Sequence, residues 1–267
     1  MKKKKNIIGI VLYLILVFAV TLLFLWYIAQ DSNRYNDFYL AMFIPATVAL
    51  LINIFFFRSI SVVFEPVFHK ISIRAVLFSF LYPFVFIGII ALVVFFSGLG
   101  TFNAEEFSVI KESKWISVIL MGILLVFGEE YGWRGFLLNN LNKIFTKNVS
   151  TLINGVVWGL WHVPIVLFLT RILGKDNAFL LTFVQFLAVF LVSFPFAYIY
   201  FEDRSIVPPI LIHLFWNIIN PVILGDIYTN EAGFIAGNLF YINGETVAGL
   251  VLGIPMMFYF MKKMRET

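Results

Sequence analysis

Glu129-Glu130-Tyr131-Gly132-Trp133-Arg134-Gly135-Phe136 closes an apolar run, Ile116 to Phe127, whose composition suits a membrane helix. Two adjacent carboxylates and an arginine are costly there, at about 2.5–3.5 kcal/mol per charge on insertion scales, so an intramembrane ionisable cluster points to function by default. Working outward from this stretch, the chain reads as its setting. It has 267 residues, of which 61% are hydrophobic and 13% charged, with a mean hydropathy of +0.96. A soluble domain holds roughly 45–50% apolar and about 25% charged residues, so the chain is a membrane protein.

Apolar runs long enough to cross a bilayer predict eight spans: Ile7–Ala29, Tyr39–Phe57, Ala75–Ser97, Ile116–Glu130, Thr151–Leu173, Ala178–Phe201, Ser205–Leu224 and Thr246–Met261. The expected fold is all-α, a polytopic membrane helix bundle forming a single integral membrane domain over residues 1–267. Beyond the fourth span, Gly135 to Phe145 alternates apolar and polar residues at helical spacing, which predicts an amphipathic helix on the interface.

Charge placement gives the orientation. With the N-terminus inside, fourteen of the nineteen basic residues fall on the cytoplasmic side: Lys2 to Lys5, Arg58, Lys70, Arg74, Arg134, Lys143, Lys147, Arg204, Lys262, Lys263 and Arg265. Outside fall Arg34, Lys111, Lys114, Arg171 and Lys175, with the acids Asp31, Asp37, Glu105, Glu106, Glu112, Asp226, Glu231 and Glu245. Both termini are therefore expected in the cytoplasm. The net charge of +4 reads as topology and contact with anionic lipid headgroups, with no nucleic-acid partner. Cysteine is absent, which removes thiol catalysis, disulfides and thiolate-bound metal. The lysine-led N-terminus lacks a good cleavage site at Tyr27-Ile28-Ala29 and reads as a retained helix.

Two of the three histidines lie in spans, His162 in Trp158-Gly159-Leu160-Trp161-His162 and His213 in His213-Leu214-Phe215-Trp216-Asn217. At 1.5 Å per residue, Glu129, His162 and His213 reach similar depths, with Glu129 about 10 Å from the cytoplasmic face, so one shared site is expected. His213 and Asn217 are i and i+4 on one helix face, as are Trp158 and His162, so an aromatic walls the histidine. Glu130 and Arg134 stand in the acid-first order of an intrahelical ion pair, leaving Glu129 for chemistry. Each feature alone has a plainer reading, since polar side chains also join membrane helices.

A carboxylate and two histidines in a low-dielectric pocket suit water activation, because desolvation moves carboxyl groups toward useful general bases. His213 and Asn217 can donate to a developing oxyanion. The reaction class is hydrolysis of an acyl bond inside the membrane. Other intramembrane protease signatures are absent: there is no Gly-x-Ser-Gly, no His-Glu-x-x-His, and Gly225-Asp226 lacks the preceding glycine of an aspartyl site.

Glu129-Glu130-x-x-x-Arg134-Gly135, then Trp158-x-x-x-His162 with Pro164, then His213-x-x-x-Asn217 resemble the three ordered motifs of the CAAX prenyl endopeptidase and bacteriocin-immunity (CPBP, Abi) family of intramembrane proteases. The resemblance covers about Gly122 to Pro221, within a protease-like core at approximately residues 116–224. It implies Glu129 as the catalytic glutamate, His162 as its partner in holding water, His213 and Asn217 as oxyanion stabilisers, and Glu130, Arg134 and Trp158 as support. Trp158 stands where the family usually has Phe and keeps an aromatic wall.

One glutamate and two histidines also match the ligand count of a catalytic zinc site. A divalent metal such as zinc at Glu129, His162 and His213 therefore stands beside metal-free, glutamate-activated water, the expected mode; no other cofactor is expected. The expected substrate is a peptide or membrane-protein segment cut near the cytoplasmic face, in peptide maturation or bacteriocin self-immunity. Lys-, Asn-, Ile- and Phe-rich composition points to an AT-rich genome and a bacterial cell membrane. The alternatives are a non-catalytic immunity or binding protein with the same fold, and a transporter, which lacks the paired inverted repeats of broken helices.

Overall fold

The computed structural model describes residues 2–58, 65–67, 69–105, 115–175 and 177–266. The charges at Glu106, Lys111, Glu112 and Lys114, assigned above to an outer loop, lie outside the described residues. Helix α1 (Lys2–Ala29) leads into a 3₁₀ stretch (Ser32–Phe43), whose first turn Asp31 caps by accepting from the Asn33 amide. That stretch runs into α2 (Ile44–Leu51), with Pro45 in its first turn where a missing N–H costs nothing, and a π-helical end (Ile52–Phe57). Then come α3 (Ile73–Phe96), capped by Ser72, β1 (Gly100–Phe102) and α4 (Trp115–Glu130). A π-helical segment (Tyr131–Leu138) and the short α5 (Asn139–Asn142) prolong α4. The chain continues through α6 (Lys147–Ile172), α7 (Ala178–Asp203), α8 (Val207–Leu224), β2 (Ile235–Gly237), the short α9 (Leu239–Ile242) and α10 (Val247–Glu266).

Eight helical runs among the described residues are long and apolar enough to cross a membrane, and they coincide with the eight predicted spans. The protein is an all-α polytopic bundle, and integral to the membrane. The fourth run differs from its expectation: it is unbroken from Ile116 to Asn142. The segment read as a separate amphipathic helix is the direct continuation of α4, and Tyr131 to Leu138 are all buried. Asn140 is buried and donates to the Phe136 carbonyl one turn back, the Trp133 carbonyl accepts from Asn154 of α6, and Lys143 at the end of the segment is exposed.

Burial ranks the helices. Over their most apolar windows 56% of α7 and α8 is buried but only 28% of α1 and α3, so α7 and α8 form the centre. Exposed Leu23, Val85, Leu92 and Phe96 on α1 and α3 face the hydrocarbon, as an apolar solvent allows. β1 and β2 pair antiparallel, Gly100 opposite Gly237 and Phe102 opposite Ile235. They tie the connection after α3 to the one after α8 at the end of the bundle remote from the termini.

Two glycines set the approach of α4 to the N-terminal helices. A Cβ at Gly128 would lie 2.5 Å from the Met42 carbonyl oxygen, and one at Gly132 would lie 2.4 Å from Pro45 Cβ. With its glycine face pressed on this layer, α4 turns Glu129, Glu130 and Arg134 toward α6, α7 and α8.

Candidate active site

Three helices meet at the charged stretch. Glu130 is fully buried, and its Oε1 accepts from Arg134 Nη1 at 2.8 Å and from His213 Nδ1 of α8 at 2.8 Å. The fully buried Arg134 guanidinium lies over the Trp158 ring, 4.0 Å from its centroid, and over Phe196 of α7 at 4.6 Å. Two aromatic faces and one carboxylate thus hold the cation, the arrangement a planar guanidinium suits better than an ammonium.

Glu129 takes a different partner. Its Oε2 accepts from the Trp158 indole N–H at 2.8 Å, and the side chain is buried. Trp158 therefore serves both glutamates, one through its N–H and the other through the guanidinium on its face. One turn along α6, His162 Nδ1 lies 2.9 Å from the Trp158 carbonyl. A carbonyl only accepts, so Nδ1 carries the proton and a neutral imidazole keeps its Nε2 lone pair. The same logic applies to His213, whose Nδ1 donates to Glu130.

A cavity of about 260 Å³ is lined by Glu129, Trp158, His162, His213 and Asn217 together. Asn217 is exposed toward it, while Glu130 and Arg134 stand behind this lining. The structure brings all seven singled-out residues to one place. Ile165, Val189, Val192 and Phe196 supply apolar walls, which suits an apolar substrate segment.

The helical run continues past Glu130 to Asn142, so Glu129 sits midway along it, about 20 Å from either end by the helical rise. The cavity leads from it toward the end of the bundle remote from the termini, where Tyr39, Asp226, Tyr228 and Glu245 line it. Among the described residues no group of three or more acidic or histidine side chains is placed to hold a metal ion. No step below is routed through a metal.

Sequence reasoning missed three contributions. The Glu130–His213 bond joins helices 83 residues apart in sequence, which spacing within a helix cannot reveal. Phe196 is one of 33 phenylalanines, with nothing local to mark it. Glu245 was placed among outer-loop acids; only a count of acids lacking a nearby basic residue would have drawn notice to it.

Residues 111–219, which contain all three motifs, match the family of Rce1-like type II CAAX prenyl endopeptidases. The match takes in less than half of the chain. The chain is also similar to CAAX prenyl protease 2 of Methanococcus maripaludis, 24% identical over 178 residues, covering 58% of this chain. The aligned part spans 62% of that relative's length.

Proposed function

We propose that this chain is an intramembrane endopeptidase of the CPBP type that hydrolyses a peptide bond with water activated by Glu129. The observation that carries the reading is the single cavity presenting Glu129, His162, His213 and Asn217 on apolar walls. Glu129 takes a proton from water while the lone pair of His162 Nε2 orients it, and the hydroxide adds to the scissile carbonyl carbon. Asn217 donates to the oxyanion, and so does His213 when its Nε2 carries a proton. Collapse breaks the C–N bond, and the proton held by Glu129 passes to the leaving amine. Glu130 and Arg134 neutralise each other and hold His213 and Trp158 in place.

Substrates on this reading are peptides or membrane-protein segments, in peptide maturation or bacteriocin self-immunity, in a bacterial cell membrane with both termini cytoplasmic. Cleavage falls on this reading near the cytoplasmic face. The test is cleavage of a panel of membrane-tethered peptides by the purified full chain in liposomes, with products identified by mass spectrometry. Cleavage that persists with a chelator and disappears in Glu129→Ala supports the reading. Loss with chelator moves the chemistry to a metal. A panel left intact by the wild type, with immunity unchanged in cells carrying Glu129→Ala, leaves a non-catalytic immunity protein.

A further inference from the structure

The cavity has a second polar end. Glu245 lines it, with its Oε1 accepting from the Trp216 indole N–H at 3.1 Å. Its Oε2 accepts from Gln185 Nε2 at 3.0 Å and from the Tyr228 hydroxyl at 3.2 Å. Every one of these donors is neutral. Gln185, fully buried, also donates to Tyr228, and its Oε1 meets no donor among the described residues. Asp226 lines the same end, and burial pushes its carboxyl above the ordinary range. No lysine or arginine lines the cavity, and neither Glu245 nor Asp226 has an ion-pair partner among the described residues.

This end is built rather than incidental. Asn220 of α8 donates to Asn243 at 3.0 Å and accepts from the Gly244 amide at 3.0 Å, and Asn243 donates to the Gly225 carbonyl at 2.6 Å. These bonds pin the segment before Glu245 to α8 and fix its carboxylate in the wall. Desolvated charges in proteins are normally paired. Here Glu245 and Asp226 both line the cavity, which no lysine or arginine lines, an arrangement that repels anions and leaves a place for a donor cation.

Resting on the protease reading, we infer that Glu245, with Asp226, binds a protonated amine of the substrate, a lysine side chain or a free N-terminus. Trp216, which carries Glu245, is one turn from His213 and adjacent to Asn217 on α8. The ammonium and the scissile carbonyl therefore lie a few residues apart on one extended peptide. The amine enters from the end of the bundle remote from the termini, opposite the Lys2 to Lys5 cluster.

The test uses the full chain in zwitterionic nanodiscs and three fluorescent apolar dodecapeptides. One is N-acetylated with a single lysine, one has norleucine in its place, and one has norleucine with a free N-terminus. The lysine peptide, the free-amine peptide or both should bind about tenfold or more tighter than the uncharged one, as a charge-assisted hydrogen bond allows. Which of the two does so separates the amine sources. Glu245→Gln and Asp226→Asn, separately or together, should bring the affinities together. Equal affinities on the wild type, including no measurable binding of any peptide, overturn the inference, as does a preference that survives the double variant. Cleavage is read in parallel: preference without cleavage keeps the amine site and removes the protease reading, and cleavage without preference does the reverse.

Discussion

His213 and Trp216 stand one turn apart on α8, and each donates to a buried or half-buried carboxylate, yet the two surroundings differ in kind. His213 meets Glu130, whose charge Arg134 balances from the same helix within hydrogen-bond distance. Trp216 meets Glu245, which Gln185 and Tyr228 also hold, with no cation in reach among the described residues. At the first end a cation stands against the carboxylate; at the second the carboxylate takes neutral donors only.

Breaking the first end should have the largest effect. Arg134→Met removes the cation and leaves Glu130 with His213 alone, and loss of one member of a buried pair costs about 3–5 kcal/mol. A fall of that size in unfolding free energy in mixed micelles checks it, whereas a drop below about 1 kcal/mol would show that Arg134 is not what balances Glu130. Next, Asn217→Ala should lower kcat about a hundredfold with KM little changed, as removal of an oxyanion donor does; steady-state kinetics on a cleaved peptide read the split. Trp158→Phe keeps an aromatic face under Arg134 but takes the N–H from Glu129. The bond to a charged group contributes about 1.5–3 kcal/mol, so a smaller loss of stability and rate together is expected. Smallest is Glu245→Gln, which keeps acceptor and shape and removes a charge that has no partner. Its unfolding free energy should stay within about 1 kcal/mol of wild type, and a larger loss would mean that the second end holds a cation not identified above.

The eight spans were legible because hydropathy over some twenty residues reports the cost of placing a segment in hydrocarbon. The end of the fourth was not. Glu129, Glu130 and Arg134 read as leaving the membrane, since hydropathy prices each charge against lipid and cannot see that Trp158, Phe196 and His213 receive them. The same blindness made Gly135 to Phe145 a separate helix, where it continues α4 without a break to Asn142. Within each helix the i, i+4 pairs were readable from spacing alone. Which helices meet was readable only through motif order, and the meeting of Glu245 with Trp216 had no motif to announce it.

The central claim is that two neighbouring glutamates divide the work, Glu129 acting on water and Glu130 holding the helices together. Its most direct test places Glu129→Gln beside Glu130→Gln and measures unfolding and peptide cleavage on the same preparations. The account predicts that Glu129→Gln keeps near-wild-type stability and loses at least about a thousandfold in rate, on the scale expected when a water-activating base is removed, while Glu130→Gln loses several kcal/mol of stability by uncovering Arg134. Cleavage at the wild-type rate by Glu129→Gln, or a stable Glu130→Gln protein that is the inactive one of the two, would contradict it.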